Sequence, residues 1–424
     1  MKRFLLLALL FAGGHVFAQK TYIQCGKLID GTSNTELTQM TIVIDGKMIT
    51  DIQKGYTTGS GTDKVVDLHD KTVMPGLIDC HVHLENQGSG KDGIIDALTM
   101  SDAAVAYRST IYAKATLMAG FTTVRDLGGS GINIAMRDAI AHGYIIGPRM
   151  LTAGRAISAS GGHMDASDGF RDDVMHKMGP DDGVADGPEE LVKAVRLQIK
   201  RGSDVIKIAS TGGVLDLSAN GSGAEFTIDE IKAVVETAKD YGLKVACHAH
   251  GAEGIRRAIL GGVTSIEHGS FMDDEDIKLM KQYGTWYVPT LIAGHSVADS
   301  AKKPGYFPPV IARKAIEVST KMKGTFTRAY KAGVKIAFGT DAGVYDHGKN
   351  AIEFQYMVEG GMPPMEAIKC ATVNAADLLG LSNITGSIAK GKYADIVAVN
   401  GDPLQDIKVM RDVGFVMKEG VQYK

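Results

Sequence analysis

The stretch Pro75-Gly76-Leu77-Ile78-Asp79-Cys80-His81-Val82-His83 closes on two histidines at i and i+2. On an extended strand such a pair points to one side. A metal ion needs this, with two imidazoles converging on it from about 2.0–2.1 Å. Further residues of metal-ligating or acid–base type close other short apolar runs. They are Lys207 in Val205-Ile206-Lys207-Ile208, His248 in Cys247-His248-Ala249-His250-Gly251, His268 in Ile266-Glu267-His268-Gly269 and Asp341 in Gly339-Thr340-Asp341-Ala342-Gly343. A lysine inside an apolar strand is costly to bury charged, so its pKa should fall; pairing with an Asp or Glu is its structural alternative. Each residue alone has a structural reading. Together, at the same end of separate strands, they describe one polar site. His250 shares the side of His248 and is a candidate contact for substrate or for a ligand. Arg155, at another strand end, could pair a substrate carboxylate or stand in a structural ion pair.

The elements that must position these residues alternate. Short apolar strands are expected at 76–81, 122–126, 148–152, 204–209, 243–248, 265–268, 285–289 and 334–339. Helical patterns lie at 103–119, 132–142, 188–201, 228–241, 252–260, 273–282 and 309–331, then near 351–358 and 364–379. Eight strands separated by helices call for a parallel (β/α)8 TIM barrel over 75–380, with the site at the strand C-termini. An open doubly wound sheet is the alternative. No Gly-x-Gly-x-x-Gly follows the first strand, which counts against a dinucleotide fold. β-rich segments at both ends, 19–74 and 381–424, predict one small β-sandwich domain built from the two termini. Two long Gly-rich loops, 158–188 and 211–227, follow the third and fourth strands, where a lid or specificity role is expected.

Composition narrows the class. The 424 residues are 44% hydrophobic and 22% charged, which excludes whole-chain disorder. The net charge of −3 comes without a basic stripe, so no nucleic-acid partner is expected. Lys2 and Arg3, the apolar run 4–12 and Val16-Phe17-Ala18 read as a signal peptide over 1–18. The run is too short to span a bilayer, so an exported protein, periplasmic or secreted and without a membrane anchor, is expected. Cys25, Cys80, Cys247 and Cys370 show no CxxC spacing and read as small buried side chains.

His81-x-His83, Lys207, His248, His268 and Asp341, in that strand order, resemble the amidohydrolase superfamily over essentially the whole chain after residue 18. Gly161-Gly162-His163, Val205-Ile206-Lys207-Ile208 with Thr211-Gly212-Gly213-Val214, His248-Ala249-His250-Gly251 and Ser265-Ile266-Glu267-His268-Gly269 resemble its imidazolonepropionase-related, Xaa-Pro dipeptidase-like branch. The resemblance implies that Lys207 is carboxylated and bridges two divalent metals. Zinc suits the donors, with iron, manganese or cobalt as alternatives. His81, His83 and Asp341 would hold one metal, and His248 and His268 the other. A shared hydroxide would attack an amide carbonyl, with Asp341 as general base and then acid. His163 and His250 become substrate-binding candidates. The implied substrate is an Xaa-Pro or related dipeptide, or an N-acyl amino acid. A homo-oligomer is left open. Two hydrolytic alternatives remain: a cyclic-amide hydrolase, and a mononuclear deaminase using the carboxylate of His250-x-x-Glu253. A non-catalytic binding barrel is a third. His69, His142, His176, His295 and His347 are set aside as surface or packing groups, and Trp286-Tyr287 as cavity wall.

Overall fold

The computed structural model describes residues 19–88, 90–171, 173–218 and 220–424; residues 1–18, where a signal peptide is expected, lie outside them. In chain order the strands are β1 (Lys20–Leu28), β2 (Leu37–Asp45), β3 (Met48–Lys54), β4 (Lys64–Pro75), β5 (Leu77–Val82), β6 (Phe121–Asp126), β7 (Arg149–Thr152), β8 (Val205–Ala209), β9 (Lys244–Ala249), β10 (Ser265–His268), β11 (Trp286–Val288), β12 (Ile396–Asn400), β13 (Val413–Lys418) and β14 (Val421–Gln422).

β5, β6 and β8 are buried along their whole length. That is why they read as apolar runs with no alternation, as parallel strands covered by helices do. β5, β6 and β7 form one parallel sheet, and β8 to β11 another. A parallel bridge from Ile157 to Ile208 links the two sheets on one side. On the other side the expected eighth strand appears only as bridges, Ile336 to Tyr287 and Ala342 to Val82, with Cys80 N donating to Phe338 O at 2.9 Å. Asp341 has a left-handed backbone (φ +59°), which ends any extended ladder at this point. The result is a TIM-barrel-type α/β fold.

The helices begin and end on local signals. Thr227 and Glu230 form a reciprocal capping box at Ile228–Asp240. Pro309–Lys331 spans the residues its periodicity predicts. Two helices were not foreseen, Lys91–Thr99 and Leu291–Ala301; neither has a capping side chain of its own. The predicted helix 364–379 is interrupted by a π-helical turn at Cys370–Asn374. Among the described residues no helix is long and apolar enough to cross a membrane.

The terminal segments meet as expected, but as one sheet and not two. The order is β14-β13-β12-β4-β1-β2-β3. The long β4 pairs with β1 and, antiparallel, with β12, so hydrogen bonding is continuous across both chain ends. The sheet curls until its two ends touch: a side chain at Gly420 would lie 2.1 Å from the Gly46 carbonyl oxygen. Ile49 of β3 and Phe415 of β13 then share one apolar core.

Arg149, at the start of β7, ties this sheet to the central strands. Its guanidinium reaches Asp395 and Glu419, each at 2.7 Å, and the Asp395 side chain is buried. Arg149→Ala would strand that carboxylate, and a loss of roughly 3 kcal/mol in unfolding free energy is expected, read from the urea midpoint.

Candidate functional site

Six side chains from four strand ends converge on one cavity of about 620 Å³: His81, His83, His248, His250, His268 and Asp341. In each case the backbone sets the side, and for four of the five rings a hydrogen bond at Nδ1 sets the ring. His81 Nδ1 lies 3.0 Å from Glu267 Oε2, and His83 Nδ1 is 2.7 Å from the Gly128 carbonyl oxygen. His250 Nδ1 meets Ser270 Oγ at 2.9 Å, and His268 Nδ1 meets Thr290 Oγ1 at 2.7 Å. Tying one ring nitrogen in this way aims the other, as outer partners do for metal-bound imidazoles. Asp341 Oδ1 lies 3.2 Å from His83 Nε2 and 3.5 Å from His81 Nε2. One ligand atom from each of these three residues fits within a 4.8 Å span. His248 stands among His163, His250 and His268, with ring centres 4.2, 4.8 and 4.7 Å away.

Electrostatics favour neutral rings. Burial holds His81 at about 4 and His250 at about 3, and holds His248 and His268 well below the usual imidazole range. For His83, burial is outweighed by the bond to Asp341, and its pKa rises. Burial pushes the Asp341 carboxyl up, but His81 and His83 outweigh it and the net shift is downward. The four lowered imidazoles and the ionised Asp341 carboxylate are in the protonation states a metal requires, whereas His83 must give up its proton to bind one.

Lys207 is fully buried, and its Nζ has no hydrogen-bond partner. Burial drops its pKa to about 8, with Glu267 and Asp341 opposing. The Asp or Glu partner of the structural alternative does not bond to it: Glu267 is engaged by Arg125 Nη2 at 2.8 Å, Ser265 Oγ at 2.5 Å and His81. His248 Nδ1 is also buried without a partner. An orphaned amine and an orphaned imidazole nitrogen beside a His-His-Asp cluster fit a pair of divalent metals.

The two long loops form the upper walls. Met164, Phe170 and Met175 come from the first, and Val214 and Leu215 from the second; Val297, Val318 and Met322 complete an apolar side. His163 reaches the cavity, and its Nδ1 lies 2.9 Å from Asp216 Oδ2. Lys314 donates to Asp216 Oδ1 at 2.6 Å and to two loop carbonyls. This strut joins both loops to helix Pro309–Lys331, and no spacing in the sequence announces it. Burial raises the Asp216 pKa, but bonds from His163 and Lys314 outweigh it and hold the carboxyl at about 2, against an ordinary 3.8. Its ionisation therefore stabilises the fold fully above that ordinary value, and the contribution is lost as pH falls toward 2. Asp216→Asn should flatten the pH dependence of the unfolding free energy over that window, measured by urea titration at stepped pH.

Arg155 also lines the cavity. Its guanidinium has no bonded partner among the described residues, so the ion-pair alternative does not form. Glu253 is turned away onto Arg257 at 2.8 Å and Arg256 at 3.6 Å, with its side chain half-exposed; the His250-x-x-Glu253 pair does not assemble. Trp286 and Tyr287 lie behind the site and not in its wall. The Tyr287 hydroxyl donates to the His268 carbonyl oxygen at 3.0 Å. His347 is buried, stacked on Tyr112, and His295 stacks on Tyr356. All four cysteines are free and buried.

Residues 72–422 match the model of the amidohydrolase family. Ochratoxinase of Aspergillus niger is 35% identical over 432 residues, covering 96% of this chain and 87% of that protein. The crystal structure of a Xaa-Pro dipeptidase with methionine bound in its active site superposes with a TM-score of 0.93 at 47% identity, over 96% of this chain and 100% of the other. A prolidase complexed with N-methylphosphonate-L-proline superposes with a TM-score of 0.85 at 33% identity, over 96% and 100%.

Proposed function

This chain belongs to the amidohydrolase family and is a hydrolase of amide bonds; from that premise we propose that it is a binuclear metallo-amidase on a closed (β/α)8 barrel, cleaving a dipeptide or an N-acyl amino acid. The observation that carries this reading is Lys207, a buried amine with no partner, beside His81, His248, His268 and Asp341.

His81, His83 and Asp341 would hold one divalent ion, and His248 and His268 the other. Zinc is the metal the nitrogen and oxygen donors favour. Lys207 would complete this donor set as a carbamate, its neutral amine adding to the carbon of carbon dioxide and giving up one proton. Bound metals would supply an acidified water and a polarised amide carbonyl. Asp341 takes the proton of the attacking water and returns it to the leaving amine nitrogen. Arg155 pairs the free carboxylate of the substrate, and His163 and His250 flank the scissile amide. The turned-away Glu253 removes the carboxylate that a deaminase would use.

Mass spectrometry of zinc-loaded protein incubated with pooled Xaa-Pro, Xaa-Arg/Lys and apolar dipeptides and N-acyl amino acids tests the reaction. Release of one class of free amino acid is expected; ammonia release without an amino acid overturns it. The similarity to a Xaa-Pro dipeptidase and to an ochratoxinase supports amide substrates with a free carboxylate on the leaving side. Export is part of the same proposal, supported by the charged start and apolar run of residues 2–12. N-terminal sequencing of protein recovered from its host should begin at Gln19, and retention of Met1 would refute it.

A further inference from the structure

Three of the five non-glycine residues with positive φ among the described residues lie at the site: His268 (φ +70°), Thr290 (φ +49°) and Asp341 (φ +59°). Thr290 stands out, because a β-branched side chain is poorly suited to the left-handed region. Strain of this kind persists only where surrounding structure imposes it.

Thr290 immediately precedes helix Leu291–Ala301. A threonine in that place ordinarily turns its own hydroxyl onto a backbone N–H of the first turn. Here it caps nothing; its Oγ1 lies 2.7 Å from His268 Nδ1. The vacated work is done from a distance. Glu353 Oε1 accepts from Leu291 N–H at 2.9 Å, and Glu353 Oε2 from Ile292 N–H at 2.7 Å. Glu353 is fully buried on helix Ile352–Glu359, and no ion pair to it is present among the described residues. Burial pushes its carboxyl up to about 8, and a polar group taken this far from water is costly unless its hydrogen bonds are made.

We propose that Glu353 is a positioning residue for His268: by capping the helix in place of Thr290, it frees the threonine hydroxyl to orient the imidazole. With the Nδ1 proton donated to Thr290 Oγ1, the Nε2 lone pair of His268 faces the cavity. Remove Glu353, and Leu291 and Ile292 lose their acceptors. The Thr290 hydroxyl then has a better use at its own helix and leaves His268 unheld. The proposal rests on His268 being a ligand of the second metal.

The test is zinc titration of chelator-stripped, full-length protein, read calorimetrically. Wild type should bind two equivalents. Glu353→Met removes the acceptors and keeps the side-chain bulk; Thr290→Val removes the hydroxyl and keeps the shape. Each should weaken one equivalent about 10–100-fold, as loss of an outer partner does, and leave the other within about twofold. Thr290→Ser should restore wild-type affinity for both. The pair Glu353→Met/Thr290→Val should lose no more than either single change, since both cut one chain of contacts. Should Glu353→Met fail to fold, the Thr290→Val and Thr290→Ser pair decides. Two unchanged equivalents in Glu353→Met or Thr290→Val would overturn the proposal while leaving the metal site standing. A wild type that binds no zinc would overturn the metal reading itself.

Discussion

Asp341→Asn is expected to lower kcat about 10³-fold or more while leaving unfolding free energy within about 1 kcal/mol of wild type. The asymmetry follows from where the residue stands. Its backbone is left-handed, a conformation that asparagine accepts more readily than almost any other non-glycine residue. Its backbone N–H donates to the His81 carbonyl oxygen at 2.7 Å, which the substitution leaves alone. The adjoining strut, in which Thr340 and Asn350 both donate to the buried Asp79, is equally untouched. What changes is one oxygen. The amide cannot accept the proton of an attacking water at neutral pH, and its NH2 offers no lone pair to His83 or to an ion. Steady-state kinetics beside a urea titration reads both halves. Undiminished kcat would remove Asp341 from the chemistry. A large loss of stability would show that its charge holds the strand ends apart from any catalysis. Asp341→Ala is the poorer probe, because alanine has no side-chain group to ease a positive φ.

Lys207→Met should abolish turnover and reduce bound metal from two equivalents to one or none, with an apoprotein at least as stable as wild type. Methionine has nearly the length of lysine and no charge. Trading a buried amine without a partner for a thioether removes a desolvation cost and leaves no bond broken. Elemental analysis after dialysis reads the metal, and denaturation of stripped protein reads the stability. Lys207→Ala should be equally inactive but less stable, because it opens a cavity. That cavity gives the sharper control: a short-chain carboxylic acid can enter it and supply the missing oxygens, so partial recovery with formate or acetate is expected. Stripped wild type should regain activity with zinc faster as bicarbonate is raised. A Lys207→Met variant that kept two metals would exclude the bridging carbamate.

The placing of these residues at strand ends was legible in the sequence because parallel strands covered by helices leave little choice. An apolar run that ends in a histidine, lysine or aspartate must present that residue at the strand's C-terminal end. Parallel order then gathers those ends on one face. His81-x-His83, Lys207, His248, His268 and Asp341 needed no partner to be recognised, only their position on the run. Helix Pro309–Lys331 was bounded by its own proline and periodicity. The groups that orient the site were not legible. Glu267 lies beside His268 in the chain, yet its work is to hold His81 and Arg125, 186 and 142 residues away. Lys314 meets Asp216 across 98 residues, and Glu353 caps a helix 62 residues earlier. Periodicity tells a side chain which way to face but not which distant group it will meet. The predicted eighth strand became isolated bridges, and the length of β4 let two expected sheets become one. Glu253, four residues beyond the end of β9, turned outward because Arg256 and Arg257 on its own helix offered charge in water. The local chain supplied the donors. Only the packed barrel chose their partners, because the burial that strips each polar group of water is what makes one particular distant partner indispensable.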